Sequence, residues 1–172
     1  MVWYSSSYNT ELSANISYSF SKNYGSILHK LSIMNKSIET LNFFIGGFSG
    51  GYERIIWLND KLHHQYFTGG GVEDEEARPD DVLNVATPST KDWEEFWQKV
   101  DTLKVWSWEK EYINSDIIDG TEWELRIKRE GRRRRRIYGL NAYPQPERIF
   151  NSFVKAINKL SRSKIEFEEE PC

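Results

Sequence analysis

The residues best suited to chemistry in this sequence are basic ones, concentrated between Glu124 and Arg136. Eight basic side chains occur there against two glutamates, Glu124 and Glu130, so the segment carries a net charge of +6. These eight residues are Arg126, Lys128, Arg129, Arg132, Arg133, Arg134, Arg135 and Arg136. Arginine binds phosphate and carboxylate groups through planar, bidentate hydrogen bonds. The segment is therefore the candidate site for binding a nucleic acid or another anion.

The basic segment coincides with a predicted β-hairpin. Residues 122–129 alternate polar and apolar side chains, as a half-buried strand does, and the chain reverses near Gly131. A three-residue loop would place Leu125 opposite Ile137, whereas a two-residue loop would place it opposite Arg136. We expect the longer loop or a bulge, because it pairs two apolar side chains.

In this register, four basic side chains project from the face opposite Leu125: Arg126, Lys128, Arg134 and Arg136. Like charges directly opposite one another destabilise a sheet, so we expect an anion to offset their repulsion. Three sources would offset the repulsion: a nucleic acid, an acidic partner protein, or water and this chain's own acidic residues at 73–81 and 166–170. Five or six phosphate contacts would lower the affinity by roughly two to four decades over a fourfold rise in salt.

The rest of the chain is acidic. The net charge of all 172 residues is −3, so the residues outside 124–136 sum to −9. An acidic surface repels a phosphate backbone, which confines any nucleic-acid contact to a local footprint at the hairpin.

Neither a metal site nor a cofactor site is predicted. His63 and His64 are adjacent and would point to opposite faces of a strand, so they cannot chelate one ion together. The glycines at 46–51 and 69–71 are not followed by the Gly-Lys-Ser/Thr unit of a phosphate-binding loop. We therefore expect no bound metal or cofactor.

Catalytic residues are not indicated either. Asp116, Asp119, Glu122 and Glu124 could supply paired carboxylates for acid–base chemistry. A turn at Asp119-Gly120 and the polar face of a strand explain them more simply. We expect a non-catalytic protein, with a small enzyme as the remaining alternative.

The pattern of predicted elements indicates an α+β fold. Alternating or apolar segments predict strands at 12–20, 27–34 (or a short helix), 41–48, 52–58, 62–68, 104–112 and 122–129, with a return strand at 137–138. Apolar stripes predict one helix capped by Ser89 or Thr90 and another from Pro146 to Ser161. We expect two layers: a largely antiparallel meander of hairpins, with both amphipathic helices on one face. Residues 1–164 form a single domain with a flexible acidic loop at about 69–88, and 165–172 form an acidic tail.

Composition sets the broad class of protein. Aromatic residues make up 15% of the chain, with seven tryptophans, which excludes a disordered chain or a coiled coil. No apolar run is long enough to span a membrane, and the N-terminus does not resemble a signal peptide. Cys172 is the single cysteine, so no internal disulfide is possible. We expect a cytoplasmic protein without a membrane partner.

The segment Phe44-Ile45-Gly46-Gly47-Phe48, followed by a strand, a helix and further strands, resembles small α+β proteins of the emfourin type. Those proteins inhibit metalloproteases, so the resemblance implies a protein inhibitor. It covers a small part of the chain and transfers no functional residue.

From these observations we expect a binding protein whose Arg-rich hairpin contacts a nucleic acid or nucleoprotein complex as an accessory or modulating subunit. The alternative is an inhibitor or interaction adaptor that binds an acidic protein surface through residues 126–136.

Overall fold

The computed structural model describes residues 38–47, 50–116 and 120–165 of the chain. The strands predicted at 12–20 and 27–34, and residues 166–172 of the acidic tail predicted at 165–172, lie outside these ranges. The described strands are β1 (Ile38–Gly47), β2 (Gly51–Leu58), β3 (Lys61–Phe67), β4 (Asp81–Ala86), β5 (Glu111–Ile113), β6 (Thr121–Arg129) and β7 (Arg135–Leu140). The helices are α1 (Thr90–Thr102) and α2 (Arg148–Ser161), and a single 3₁₀ turn covers Val105–Ser107.

All seven strands belong to one sheet, in the order β4-β3-β2-β1-β6-β7-β5. Every neighbouring pair is antiparallel except β5 and β7, which run parallel. The expectation of a mixed α+β fold with a largely antiparallel sheet is confirmed. β6 pairs with β1, so the basic hairpin lies towards one end of the described sheet, with β1 on one side and the short β5 on the other.

The main core combines alternate residues of the central strands with the apolar stripes of both helices. Its members from β1, β6 and the helices include Phe43, Trp123, Leu125, Phe96, Phe150 and Phe153. Trp123 is fully buried, and its ring centroid lies 4.6 Å from that of Phe150. Burying each large apolar side chain contributes about 1.5–3 kcal/mol, so this cluster fixes which face of β6 points inward.

The register predicted for the basic hairpin is confirmed. Leu125 lies opposite Ile137, and both side chains are fully buried. Arg126 lies opposite Arg136 on the other face of the sheet. Gly131 has a φ of +75°, the left-handed conformation that allows the chain to reverse at the tip.

Both helices occupy the predicted segments. Ser89 caps α1 through a capping box, in which its hydroxyl accepts a hydrogen bond from the Asp92 backbone N–H and the Asp92 carboxylate accepts one from the Ser89 N–H. α2 ends at Ser161, followed by Arg162 in a left-handed conformation. Neither helix in the described ranges is long and apolar enough to cross a bilayer.

The segment 69–88 differs from the expected loop because it contains β4. Val82, Leu83 and Val85 of this strand are exposed to 45–49%, so burial does not impose a clear alternation on the sequence. Among the described strands, β4 lies at the edge of the sheet and pairs with β3 alone, and the pairing shifts register between His64 and Gln65. An edge strand with exposed apolar residues resembles a loop in sequence, which explains the difference.

The strand predicted at 104–112 is wrong over most of its length. Lys104 has a φ of +55°, and the chain then makes the 3₁₀ turn before β5 begins at Glu111. Two indoles hold this turn against the end of α1: Trp106 Nε1 donates to Asp101 Oδ1, and Trp108 Nε1 donates to the Leu103 carbonyl. The alternate aromatic residues therefore pack around a turn instead of along a strand.

Candidate anion-binding hairpin

On the outward face of the hairpin, a buried carboxylate joins two arginines. Glu124 is 2% exposed, and its Oε1 accepts a hydrogen bond from Arg126 Nε. Its Oε2 accepts from Arg136 Nε at 2.8 Å and lies 2.7 Å from Arg136 Nη2. Because Arg126 and Arg136 are directly opposite in the sheet, Glu124 offsets the repulsion between them.

Residues 72–77, here called the acidic strap, supply a second carboxylate to the same face. Glu75 Oε1 lies 3.0 Å from Arg126 Nη1 and 3.5 Å from Arg134 Nη2. Arg126 Nη2 also donates to the Glu73 carbonyl at 2.8 Å. Burial opposes the charge of Arg126, but its bonds to Glu75 and Glu124 outweigh that effect and raise its pKa.

The strap is held in place by Arg54, whose side chain is fully buried. Its Nη1 donates to the carbonyls of Val72 and Asp74 at 2.9 and 2.6 Å, and its Nη2 donates to that of Ala77 at 3.2 Å. Burial lowers the pKa of Arg54 from the ordinary arginine value. Arg54 thus ties three backbone carbonyls of the strap to β2.

A small apolar cluster supports this attachment. Val72 of the strap packs with Phe44 and Phe67, next to Tyr52 and Ala77. The Arg54 guanidinium lies 4.6 Å from the centre of the Phe67 ring, so a cation–π contact within the sheet helps to position the group that holds the strap.

The tip and opposite face of the hairpin contact α1 and the 3₁₀ turn. Arg129 Nη2 lies 3.2 Å from Asp101 Oδ2, and its guanidinium lies 5.4 Å from the ring centre of Trp97. Arg132 lies 5.8 Å from the centre of the Trp106 ring. These contacts place Arg129 beside Trp97 of α1 and Arg132 beside Trp106 of the 3₁₀ turn.

The eight predicted site residues therefore do not share one surface. Arg126, Arg134 and Arg136 meet carboxylates on the outward face, whereas Arg135 donates to the Trp108 carbonyl on the other side. Arg132 and Arg133 are exposed at the tip, and Lys128 is half-buried on β6. Of the sources of counter-charge considered from the sequence, the chain itself supplies at least part, because Glu75 and Glu124 are paired with these arginines.

The remaining candidate groups form other contacts. His64 is buried and its Nε2 lies 2.5 Å from Glu53 Oε2, while the Nε2 of His63 is buried without a hydrogen-bond partner. Glu122 accepts a hydrogen bond from Tyr52, whose pKa is raised by burial and by Glu122. Within the described ranges, no three potential ligands cluster around a metal site. Asp119 lies outside these ranges.

Three residues central to this geometry were not singled out from the sequence. Glu75 was included only as part of the acidic segment 73–81, and Asp101 and Arg54 were not considered. The sequence offers one signal for Arg54, which directly precedes Ile-Ile-Trp in a predicted strand. An arginine buried in such a strand requires hydrogen-bonding partners.

A scan against family models and searches of curated proteins and solved structures found no match to this chain. The resemblance to emfourin-type proteins therefore gains no support from them. The charge and geometry of the hairpin are what bear on its function.

Proposed function

We propose that this is a non-catalytic binding protein that contacts the phosphate backbone of a nucleic acid through its Arg-rich hairpin. In this proposal it serves as an accessory or modulating subunit of a nucleoprotein complex. Both helices would cover one face of a two-layer meander, so that the hairpin arginines remain available at the tip and on the opposite face.

The observation that carries the proposal is the excess of positive charge on the hairpin. Among the described residues, and leaving Lys128 aside, its seven arginines meet three carboxylates bonded to them, from Glu75, Asp101 and Glu124, and Glu130 lies in the turn. The seven arginines therefore exceed these four carboxylates by three positive charges. The carboxylates of the described residues are thus sufficient to let the hairpin fold but not to neutralise its arginines.

Four arginines of the hairpin are exposed at the surface. The side chains of Arg134 and Arg136 are 56% and 66% exposed, and Arg132 and Arg133 are exposed at the tip. Four phosphate contacts to a single strand predict that log K falls by about 2.8 for each decade of salt. A fourfold rise in salt would then weaken binding roughly 50-fold. This decrease is smaller than the roughly two to four decades expected for five or six phosphate contacts.

The test is binding of a labelled single-stranded RNA, a DNA duplex and polyglutamate, each measured by fluorescence anisotropy at several salt concentrations. One variant changes Arg132, Arg133, Arg134 and Arg136 to Gln. A matched control changes four exposed lysines to Gln: Lys61, Lys91, Lys99 and Lys155. Both variants lose four positive charges, so only local contacts distinguish them.

We expect the hairpin variant to lose at least tenfold in affinity for the nucleic acid, and the control to lose much less. Equal losses in the two variants, or wild-type affinity in the hairpin variant, would refute the proposal. Preferential binding of polyglutamate by the wild type would favour the alternative, an adaptor or inhibitor that binds an acidic protein surface.

A further inference from the structure

We infer that Arg126 and Arg134 form a phosphate-binding site, and that the Glu75 carboxylate occupies this site in the free protein. The inference rests on the proposed function and deepens it, because it assigns a specific backbone phosphate to two specific arginines. It also gives the acidic strap a role as a competitor built into the chain.

The first support is the geometry of the pair. A single oxygen, Glu75 Oε1, lies 3.0 Å from a nitrogen of Arg126 and 3.5 Å from a nitrogen of Arg134. The two arginines thus converge on the position of one anionic oxygen. A phosphodiester carries one negative charge and two free oxygens, as a carboxylate does, so it can replace Glu75 without a change in net charge.

The second support is the difference in burial between the two carboxylates on this face. Glu124 is almost fully buried between Arg126 and Arg136, whereas the side chain of Glu75 is 40% exposed. Glu75 and Arg134 are both open to water, so the ion pair between them is weak and a phosphate competes with it. The buried Glu124 is expected to stay in place, because removing it would leave two opposed arginines without a counter-charge.

The third support is that the exchange does not require the strap to unfold. Arg54 and Val72 hold the base of the strap, and backbone hydrogen bonds from Asp74 to Gly71 and from Ala77 to Asp74 shape the turn between them. Rotation of the Glu75 side chain away from the arginines is sufficient to vacate the site. The strap is thereby a fixed support for a movable carboxylate.

The decisive comparison is between Glu75→Gln and Glu76→Gln. Glu76 is exposed in the same strap, and its carboxylate makes no ion pair with any described residue. Both variants remove one negative charge from the same segment, so long-range electrostatics change equally. We expect Glu75→Gln to bind single-stranded RNA about three- to tenfold more tightly than Glu76→Gln does. Its salt dependence should be steeper by about 0.7 in the slope of log K, the value for one added phosphate contact.

Adding Arg134→Gln to Glu75→Gln should abolish that gain, because it removes one side of the site. A second probe is dimethyl phosphate, a phosphodiester without a base, which should shift the Arg134 Nε–Hε signal in NMR spectra of Glu75→Gln but not of Glu76→Gln. Equal RNA affinities and slopes for Glu75→Gln and Glu76→Gln, with RNA bound by the wild type, would overturn this inference and leave the proposed function intact. A dimethyl phosphate shift without binding of RNA or of the DNA duplex by either variant would support the phosphate site and refute the proposed function. No response to dimethyl phosphate, RNA or the DNA duplex would overturn both.

Discussion

Arg54→Met is the substitution that most directly tests how the acidic strap is held. Methionine keeps a long apolar side chain against Phe67 but removes the guanidinium and its four hydrogen bonds. Three of these bonds end on strap carbonyls, and the fourth joins Nε to Gln65 Oε1 at 2.9 Å. We expect the strap to detach from the sheet while the main core remains folded.

The magnitude follows from these bonds and from what relieves their loss. A hydrogen bond to a charged group contributes about 1.5–3 kcal/mol, so four of them set an upper limit of roughly 6–12 kcal/mol. The strap can lift into water, where its carbonyls are solvated again, and the desolvation penalty that lowers the pKa of Arg54 disappears with the charge. We therefore expect a loss of about 3 kcal/mol in the free energy of unfolding. For a chain of this size, that loss lowers the melting temperature by roughly 6–12 °C.

The assay combines urea unfolding with hydrogen exchange of the strap amides at residues 72–77. Arg78→Met is the matched control, because Arg78 is an exposed arginine just after the strap. We expect the control to unfold within about 0.5 kcal/mol of the wild type. If Arg54→Met unfolds at the same urea concentration as Arg78→Met and protects its strap amides equally, the account of Arg54 as the anchor is wrong.

Two further substitutions probe the frame around the hairpin. Gly139→Ala should destabilise the protein by about 1–3 kcal/mol in urea unfolding, because the added Cβ would lie 2.0 Å from Nε1 of the buried Trp123. The control is Gly70→Ala, whose added Cβ would meet no atom within 4 Å. Equal stability of the two variants would contradict the clash with Trp123. Asp92→Ala should reduce stability above about pH 4, where the carboxylate is ionised in the folded and unfolded states. Hydrogen bonds from the Ser89 hydroxyl and backbone N–H lower the pKa of Asp92, so its contribution should disappear as the pH falls through that depressed value. Unfolding curves of both proteins from pH 2 to 7 measure this, and a difference that persists at pH 2 would count against the capping box as its source.

The elements that could be predicted are those whose buried face imposes a clear pattern of apolar and charged residues on the sequence. A one-residue slip in the basic hairpin would place Arg136 opposite Leu125 in the core, so the sequence specified the register. The capping residue Ser89 and the apolar stripe after it likewise located α1. β4 could not be located in this way, because its valines are exposed and burial imposes no pattern on them.

The candidate site was predictable only in its basic half. The run of arginines is contiguous in sequence, whereas Glu75 lies 51 residues from Arg126, and Asp101 lies 28 residues from Arg129. Such pairs form because the sheet order and the strap bring distant segments together. Charge counting identified residues 73–81 as a source of counter-charge, but only the three-dimensional arrangement distinguishes Glu75 from the exposed Glu76.

The placement of Glu124 changes the kind of binding that the hairpin can perform. If a ligand had to relieve the repulsion between Arg126 and Arg136, the hairpin would order on binding, and that ordering would reduce the affinity. Glu124 is buried between these arginines, so the two strands are already paired in the free protein. In the proposed function, a partner would then meet a preformed surface, and its affinity would depend on the arginines that remain exposed at the tip. The internal carboxylates would therefore act in two ways: Glu124 holds Arg126 and Arg136 together across the paired strands, and Glu75 would limit how much of the hairpin's charge a partner reaches.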